Sequence, residues 1–207
     1  MNSAPLRTAL TAAIAGLIAS AALAQDSRWG PLAPALETLD MPDDWTVTLD
    51  TEALTIVNTQ NNDARSMIYE VPTYDLLDPE TFGRRTISTT VEIAVDGGAS
   101  HAGIAYWYGN DYYYMFTLSR DREGERRVTL WAVQDGTNQR LTTLPYAESI
   151  VELGIREDGS KIHLLVNGED VALLQGATGM GRGLPGLVVW GIGTYVFTSY
   201  SNVVAAQ

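Results

Sequence analysis

Apolar and polar residues alternate in short runs through most of this chain, and the period is two, as expected of strands half buried against a core. The clearest case is residues 100 to 119, SHAGIAYWYGNDYYYMFTLS. Two alternating runs, Ala102 to Tyr108 and Tyr112 to Ser119, flank Gly109-Asn110-Asp111 and predict a hairpin. With Tyr108 facing Tyr112, one face carries Ile104, Tyr106, Tyr108, Tyr112, Tyr114, Phe116 and Leu118. The other carries Ala105, Trp107, Tyr113, Met115 and Thr117. The first face reads as core. The second is aromatic but sparse, with small or polar residues around Trp107 and Tyr113.

The same pattern predicts strands on both sides of the hairpin. Trp45 to Leu49 and Ala53 to Asn58 are joined by a short turn, Thr59 to Arg65 reads as an exposed loop, and Ser66 to Val71 as a further strand. Pro72, Pro79 and Gly83 mark Pro72 to Arg85 as a long connection between sheets. Thr86 to Val95 alternates with Ile87, Thr89, Val91, Ile93 and Val95 on one face, and Asp96-Gly97-Gly98 is a turn signal that ends it. After the charged loop Arg120 to Glu125 comes Arg127 to Val133, with Val128 and Leu130 on the core side and Thr129 and Trp131 opposite. Val151 to Arg156 pairs through Glu157-Asp158-Gly159 with Lys161 to Asn167, and Asn167-Gly168 turns into Val171 to Leu174. The glycine-rich stretch GATGMGRGLPG precedes Leu187 to Trp190, and Tyr195 to Val204 closes the chain. Short strands at near-regular spacing predict an all-β, antiparallel two-sheet jelly-roll sandwich with little or no helix in its body.

Composition changes the picture at the N-terminus. Arg7 precedes an apolar run ending in Ala22-Leu23-Ala24, so residues 1–24 read as a signal peptide and the protein as exported, to the periplasm or the extracellular space. Residues 25–44 read as a proline-punctuated lead holding at most one helical turn and pinned by Trp29, and 45–207 as a single domain. The chain has no cysteine, which excludes a disulfide scaffold and a lipid-anchored lipoprotein and leaves stability to the core. A formal charge of -12 excludes nucleic acid as a partner, because phosphates would be repelled, and no membrane anchor is expected.

The strand order resembles the concanavalin A-like lectin and glucanase jelly rolls, and within them the bacterial laminin G-like domains and the family named for 3-keto-disaccharide hydrolase activity. The residues that carry this are Trp45 to Ile56, the Ala102-Gly103-Ile104 strand, the tyrosine-rich strand, the Gly159 to Gly168 hairpin, Pro185-Gly186-Leu187, and Val196-Phe197. Lectin and laminin G-like relatives imply sugar binding, often with calcium near the rim. The hydrolase relatives carry Asn-Ser-Gly-Ile where this chain has His101-Ala102-Gly103-Ile104, and the Glu-x-Asp-x-x-Glu run of the glucanases has no counterpart here.

The candidate chemistry follows from exposed rings. Trp107, Tyr113, Trp131 and Trp190 form a ligand-binding set, since flat aromatic faces on a rigid sheet stack on the C–H faces of sugars. The competing reading is packing, each buried ring contributing roughly 1.5–3 kcal/mol without any ligand. Arg182, in the GMGRG stretch, is a rim contact to an acidic sugar, and that stretch lacks the Lys-Ser/Thr of a phosphate loop. Glu92 and His101 are the candidate acid–base residues, although neither has a catalytic partner by sequence. Asp96, Asn110 and Asp111 are candidate calcium ligands, and equally ordinary turn formers; the cofactor expectation is none, or calcium. Three functions stay open: an exported saccharide- or polysaccharide-binding module, a glycoside-processing hydrolase, and a non-catalytic envelope module contacting a protein partner.

Overall fold

A computed structural model describes residues 29–37, 45–60, 64–70, 84–109, 112–159, 161–174 and 183–204, with the side chains at 95–97 and 107–109 outside that description. One short helix, α1 (Ala33–Glu37), precedes β1 (Trp45–Leu49), β2 (Leu54–Asn58), β3 (Arg65–Tyr69), β4 (Arg85–Gly109), β5 (Tyr112–Arg120) and β6 (Arg126–Gln134). β7 (Thr137–Pro145), β8 (Ile150–Asp158), β9 (Lys161–Val166), β10 (Glu169–Leu174) and β11 (Leu184–Val204) follow.

Two long strands organise the rest. β4 runs for 25 residues and β11 for 21, and they pair antiparallel from Leu184 opposite Trp107 to Val204 opposite Arg85. Both bend where the register breaks between Gly191 and Gly193, so each gives one half to either sheet. The first sheet runs β3, the leading half of β11, the trailing half of β4, β5, β6, β7. The second runs β1, β2, the trailing half of β11, the leading half of β4, β8, β9, β10.

The bend corrects two expectations. Asp96-Gly97-Gly98 does not end a strand, and Leu187–Trp190 and Tyr195–Val204 are not separate strands. The partner strand turns the same corner, so backbone pairing continues where an isolated strand would have to stop. Gly191, at φ +89°, makes the corner possible: a Cβ there would lie 2.0 Å from the Ala99 carbonyl oxygen. Its own carbonyl accepts from Asn58 Nδ2 at 2.8 Å and from the Tyr195 hydroxyl at 2.6 Å, and Ser100 Oγ donates to the Ile192 carbonyl at 2.5 Å. The corner is thereby satisfied internally rather than by water.

Between the sheets lies the main core, drawn from Ile87, Val91, Ile93, Ala102, Ile104, Tyr106, Phe116, Leu118, Val128, Leu130, Leu187, Val189, Tyr195 and Phe197. Trp29 and Leu32, at the entry to α1, are fully buried in it, so the lead closes the core rather than standing apart. The central hairpin pairs as expected, with Ile104 opposite Phe116, Tyr106 opposite Tyr114 and Trp107 opposite Tyr113; only the last rung differs, Gly109 rather than Tyr108 facing Tyr112. Glu157 is not in a turn. It lies in β8 and is buried inside the sandwich, where Arg85 Nη2 meets its Oε1 at 2.7 Å and the Tyr106 hydroxyl bonds to both partners.

Candidate functional site

The outward face of the first sheet carries a second apolar cluster, Ala105, Tyr113, Met115, Val133 and Val188, with Met67, Tyr69, Trp131 and Trp190 packed on it. Strand register sets out one row across it: Arg65, Trp190, His101, Ser119 and Arg127 are successive partners on β3, β11, β4, β5 and β6. Trp190 is held on both sides by its row neighbours. The His101 ring stacks on it at 4.6 Å and 20°, and the Arg65 guanidinium lies 4.6 Å from its centroid. Trp131 stands edge-on to both His101 (5.6 Å, 86°) and Trp190 (5.8 Å, 76°), so among the described residues no ring lies parallel on its face.

This face is concave, and one contact demonstrates it. Arg65 Nη2 donates to Asn138 Oδ1 at 2.8 Å, yet Arg65 is on β3 and Asn138 on β7, the two edges of the sheet. On a flat sheet five inter-strand steps of about 4.8 Å would hold them about 24 Å apart, far beyond the reach of the two side chains. The sheet therefore curls into a trough, spanned by Arg65, whose Nη1 also donates to the Tyr113 hydroxyl.

The electrostatics of the trough are set by that guanidinium. Arg65 bonds only neutral groups, and lies over the Tyr113 ring at 5.6 Å as well as over Trp190. Burial, with Arg65 adding to it, pulls the His101 pKa down to about 4, so the imidazole is neutral at neutral pH, its Nδ1 bonded to Ser119 Oγ at 2.8 Å. Burial likewise raises the Tyr69 hydroxyl, with Tyr113 adding to the effect and Arg65 opposing it. The Arg65 Nε–H and the Trp131 indole N–H are shut off from solvent without an acceptor. Among the described residues, no Asp or Glu belongs to the register rows of this face.

Of the sequence-derived candidates, Tyr113, Trp131, Trp190 and His101 come together here. Tyr113 is buried and forms the floor rather than an open ring. Position 107 lies directly opposite Tyr113 in the backbone pairing, and its side chain is outside the description. His101 is not merely at the hairpin mouth; it is wedged between two tryptophans. Glu92 sits on the other sheet, on the side opposite Val91 and Ile93, paired with Ile150 and Val196. Arg182, Asn110 and Asp111 lie outside the described residues, as does the Asp96 side chain. Among the described residues no three His, Asp or Glu side chains cluster as metal ligands.

Arg65 and Asn138 escaped the sequence reading. Arg65 sits one residue before the predicted strand, yet Arg65, Met67 and Tyr69 share the period of two, and extending the strand by one would have found it. Asn138 lies in β7, where TNQRLTTLP has almost no apolar residue to mark a strand.

The strand order and its likeness to solved structures define an antiparallel jelly-roll β-sandwich. The sequence matches no protein-family model and no curated protein. Among solved structures it is similar to a functionally unknown protein from Saccharomyces cerevisiae, at TM-score 0.59 and 14% identity over 82% of this chain and 96% of that one. It is also similar to alginate lyase A1-II', of polysaccharide lyase family 7 (0.54, 13%, covering 84% and 89%). A xylan beta-1,4-xylosidase from Bacillus halodurans matches at 0.54 and 10% over 79% of this chain but only 40% of its own length. At such identities the likeness establishes the fold alone.

Proposed function

We propose that the trough binds a saccharide, with Trp131 stacking on a sugar ring and Arg65, Asn138 and His101 setting its orientation. The observation that carries this reading is the meeting of Arg65 and Asn138 from opposite sheet edges, with Arg65 over Trp190 and Tyr113 and Trp131 on the same face. A concave, mostly aromatic site with a few convergent polar groups is the usual form of a small-molecule site. Trp190 and Tyr113 serve as the platform that holds Arg65. Fold neighbours titled as a xylosidase and an alginate lyase act on polysaccharides, which supports a saccharide ligand. Export through residues 1–24 would bring the trough to such polymers outside the cytoplasm.

Binding is favoured over glycoside hydrolysis by one observation. A glycosidase places two carboxyl groups about 5–10 Å apart around the bond it cuts, and the described residues of this face supply none. The test is a calorimetric titration against neutral and acidic oligosaccharides. Trp131→Ala should weaken binding by about tenfold, the equivalent of ~1.4 kcal/mol of stacking, and leave a cooperative thermal transition. Unchanged affinity in that variant, or no heat from any saccharide at millimolar concentration, would remove the reading.

A further inference from the structure

We infer that the ligand is an anionic saccharide, carrying carboxylates as uronic acids do, and that Arg65 is the residue that selects for its charge, with Arg140 in support. This rests on the saccharide reading and narrows it to a chemical class.

Acidic residues outnumber basic ones 25 to 13 in this chain, and three of its arginines are paired with a carboxylate. Arg85 is paired with Glu157 at 2.7 Å, Arg127 with Asp121 at 2.9 Å and Arg156 with Asp170 at 2.8 Å. Arg65 is fixed by the Tyr113 hydroxyl, the Asn138 amide oxygen and two ring faces, all neutral. Arg140 pairs in register with Trp131, is exposed, and bonds to no carboxylate among the described residues. Arg127, in the same row as His101, is already neutralised by Asp121 and contributes little.

An arginine held in place by neutral groups keeps its full charge for an incoming anion, and its planar fork matches a carboxylate in two-point contact. Pinning it over Trp190 and Tyr113 reduces the ordering cost at binding. Of its five N–H groups two are engaged, and Nε–H has no acceptor. Nε–H is shut off from solvent, so an incoming carboxylate meets the second N–H of each Nη, the first being held by Tyr113 and Asn138. Neutral His101 beside it can donate or accept a hydrogen bond to sugar hydroxyls without adding a counter-charge. A neutral sugar would leave the guanidinium unanswered, and a cationic one would be repelled.

The experiment titrates the whole exported chain with tetrasaccharides of galacturonate, mannuronate and guluronate, with their methyl esters, and with a sulfated tetrasaccharide. At least one free acid should bind about tenfold or more tightly than its ester, and the advantage should shrink between about 20 and about 200 mM salt. Arg65→Met should bring acid and ester to within about twofold, the acid losing about tenfold more than the ester, and the exposed Arg140→Gln should cost the acid about two- to threefold. Arg65→Lys keeps the charge but not the fork and should recover only part of the preference. Should Arg65→Met fail to fold by thermal melting, Arg65→Lys and Arg140→Gln carry the test. Equal binding of acids and esters by the unaltered protein overturns the charge selection and leaves the saccharide site standing. Preference for the sulfated sugar over every uronate overturns the carboxylate assignment. Absence of binding to any of them overturns the site itself.

Discussion

Two arginines, Arg85 and Arg65, each bond a tyrosine hydroxyl on the same hairpin, from opposite sides of one sheet. Arg85 is inside the sandwich, 2% exposed, with Tyr106 and with the carboxylate of Glu157. Arg65 is in the trough outside, with Tyr113, an amide and two rings, and with no carboxylate among the described residues. Inside, a cation without a counter-ion would not survive desolvation, so the pair is complete and chemically silent. Outside, partial solvation and cation–π contact tolerate a lone guanidinium, and the charge stays available. Local geometry is similar in the two places; what separates structural from binding chemistry is whether the charge is already answered.

That contrast can be broken most severely from the inside. Glu157→Gln leaves Arg85 buried without its counter-ion and should lower stability by about 3–5 kcal/mol, read by chemical denaturation. Replacing both partners by Met and Leu should recover most of the loss; a single mutant as stable as the parent would mean the pair is hydrated and not the core feature described.

Acid comes next in size. The folded-state pKa of His101, pulled to about 4 from 6.5 by burial and then by Arg65, means the unfolded chain binds the proton more readily over that interval. Stability from this residue is therefore full above the unfolded pKa and declines as pH falls from about 6.5 toward 4. The parent should lose on the order of 2–3 kcal/mol more than His101→Gln between pH 7 and pH 4. Identical pH slopes for the two proteins would show that His101 is not protected from protonation.

The tyrosines sharpen the comparison on equal terms, since both lose only a hydroxyl. Tyr106→Phe strips a partner from a buried ion pair and should cost about 2 kcal/mol, whereas Tyr113→Phe, freeing a half-solvated arginine, should cost about 1 kcal/mol. Reversal of that order would put the greater electrostatic burden in the trough. Smallest of all, Arg65→Met should change stability by less than about 1 kcal/mol, because no counter-ion is stranded by it.

Much of the architecture was legible in alternation alone. The hairpin register, the inward Ile104, Tyr106, Phe116 and Leu118, and the outward placement of Tyr113 and Trp131 follow from a period of two, because slipping by one residue would invert every side chain. Asn167 and Gly168, at φ 51° and 80°, marked their turn by residue type. Pattern failed where the next strand, not the sequence, supplied the decisive partner. Asp96-Gly97-Gly98 reads as an end until β11 bends alongside it; Glu157 reads as a turn residue until Arg85 arrives from 72 residues away to hold it inside. The trough is the extreme case, since Arg65 and Asn138 are 73 residues apart on opposite sheet edges and meet only because the sheet curls. Local sequence determined which way each side chain faces, a property of a single strand. Which faces close on one another depends on twist accumulated over six paired strands, and that was settled only when the chain packed.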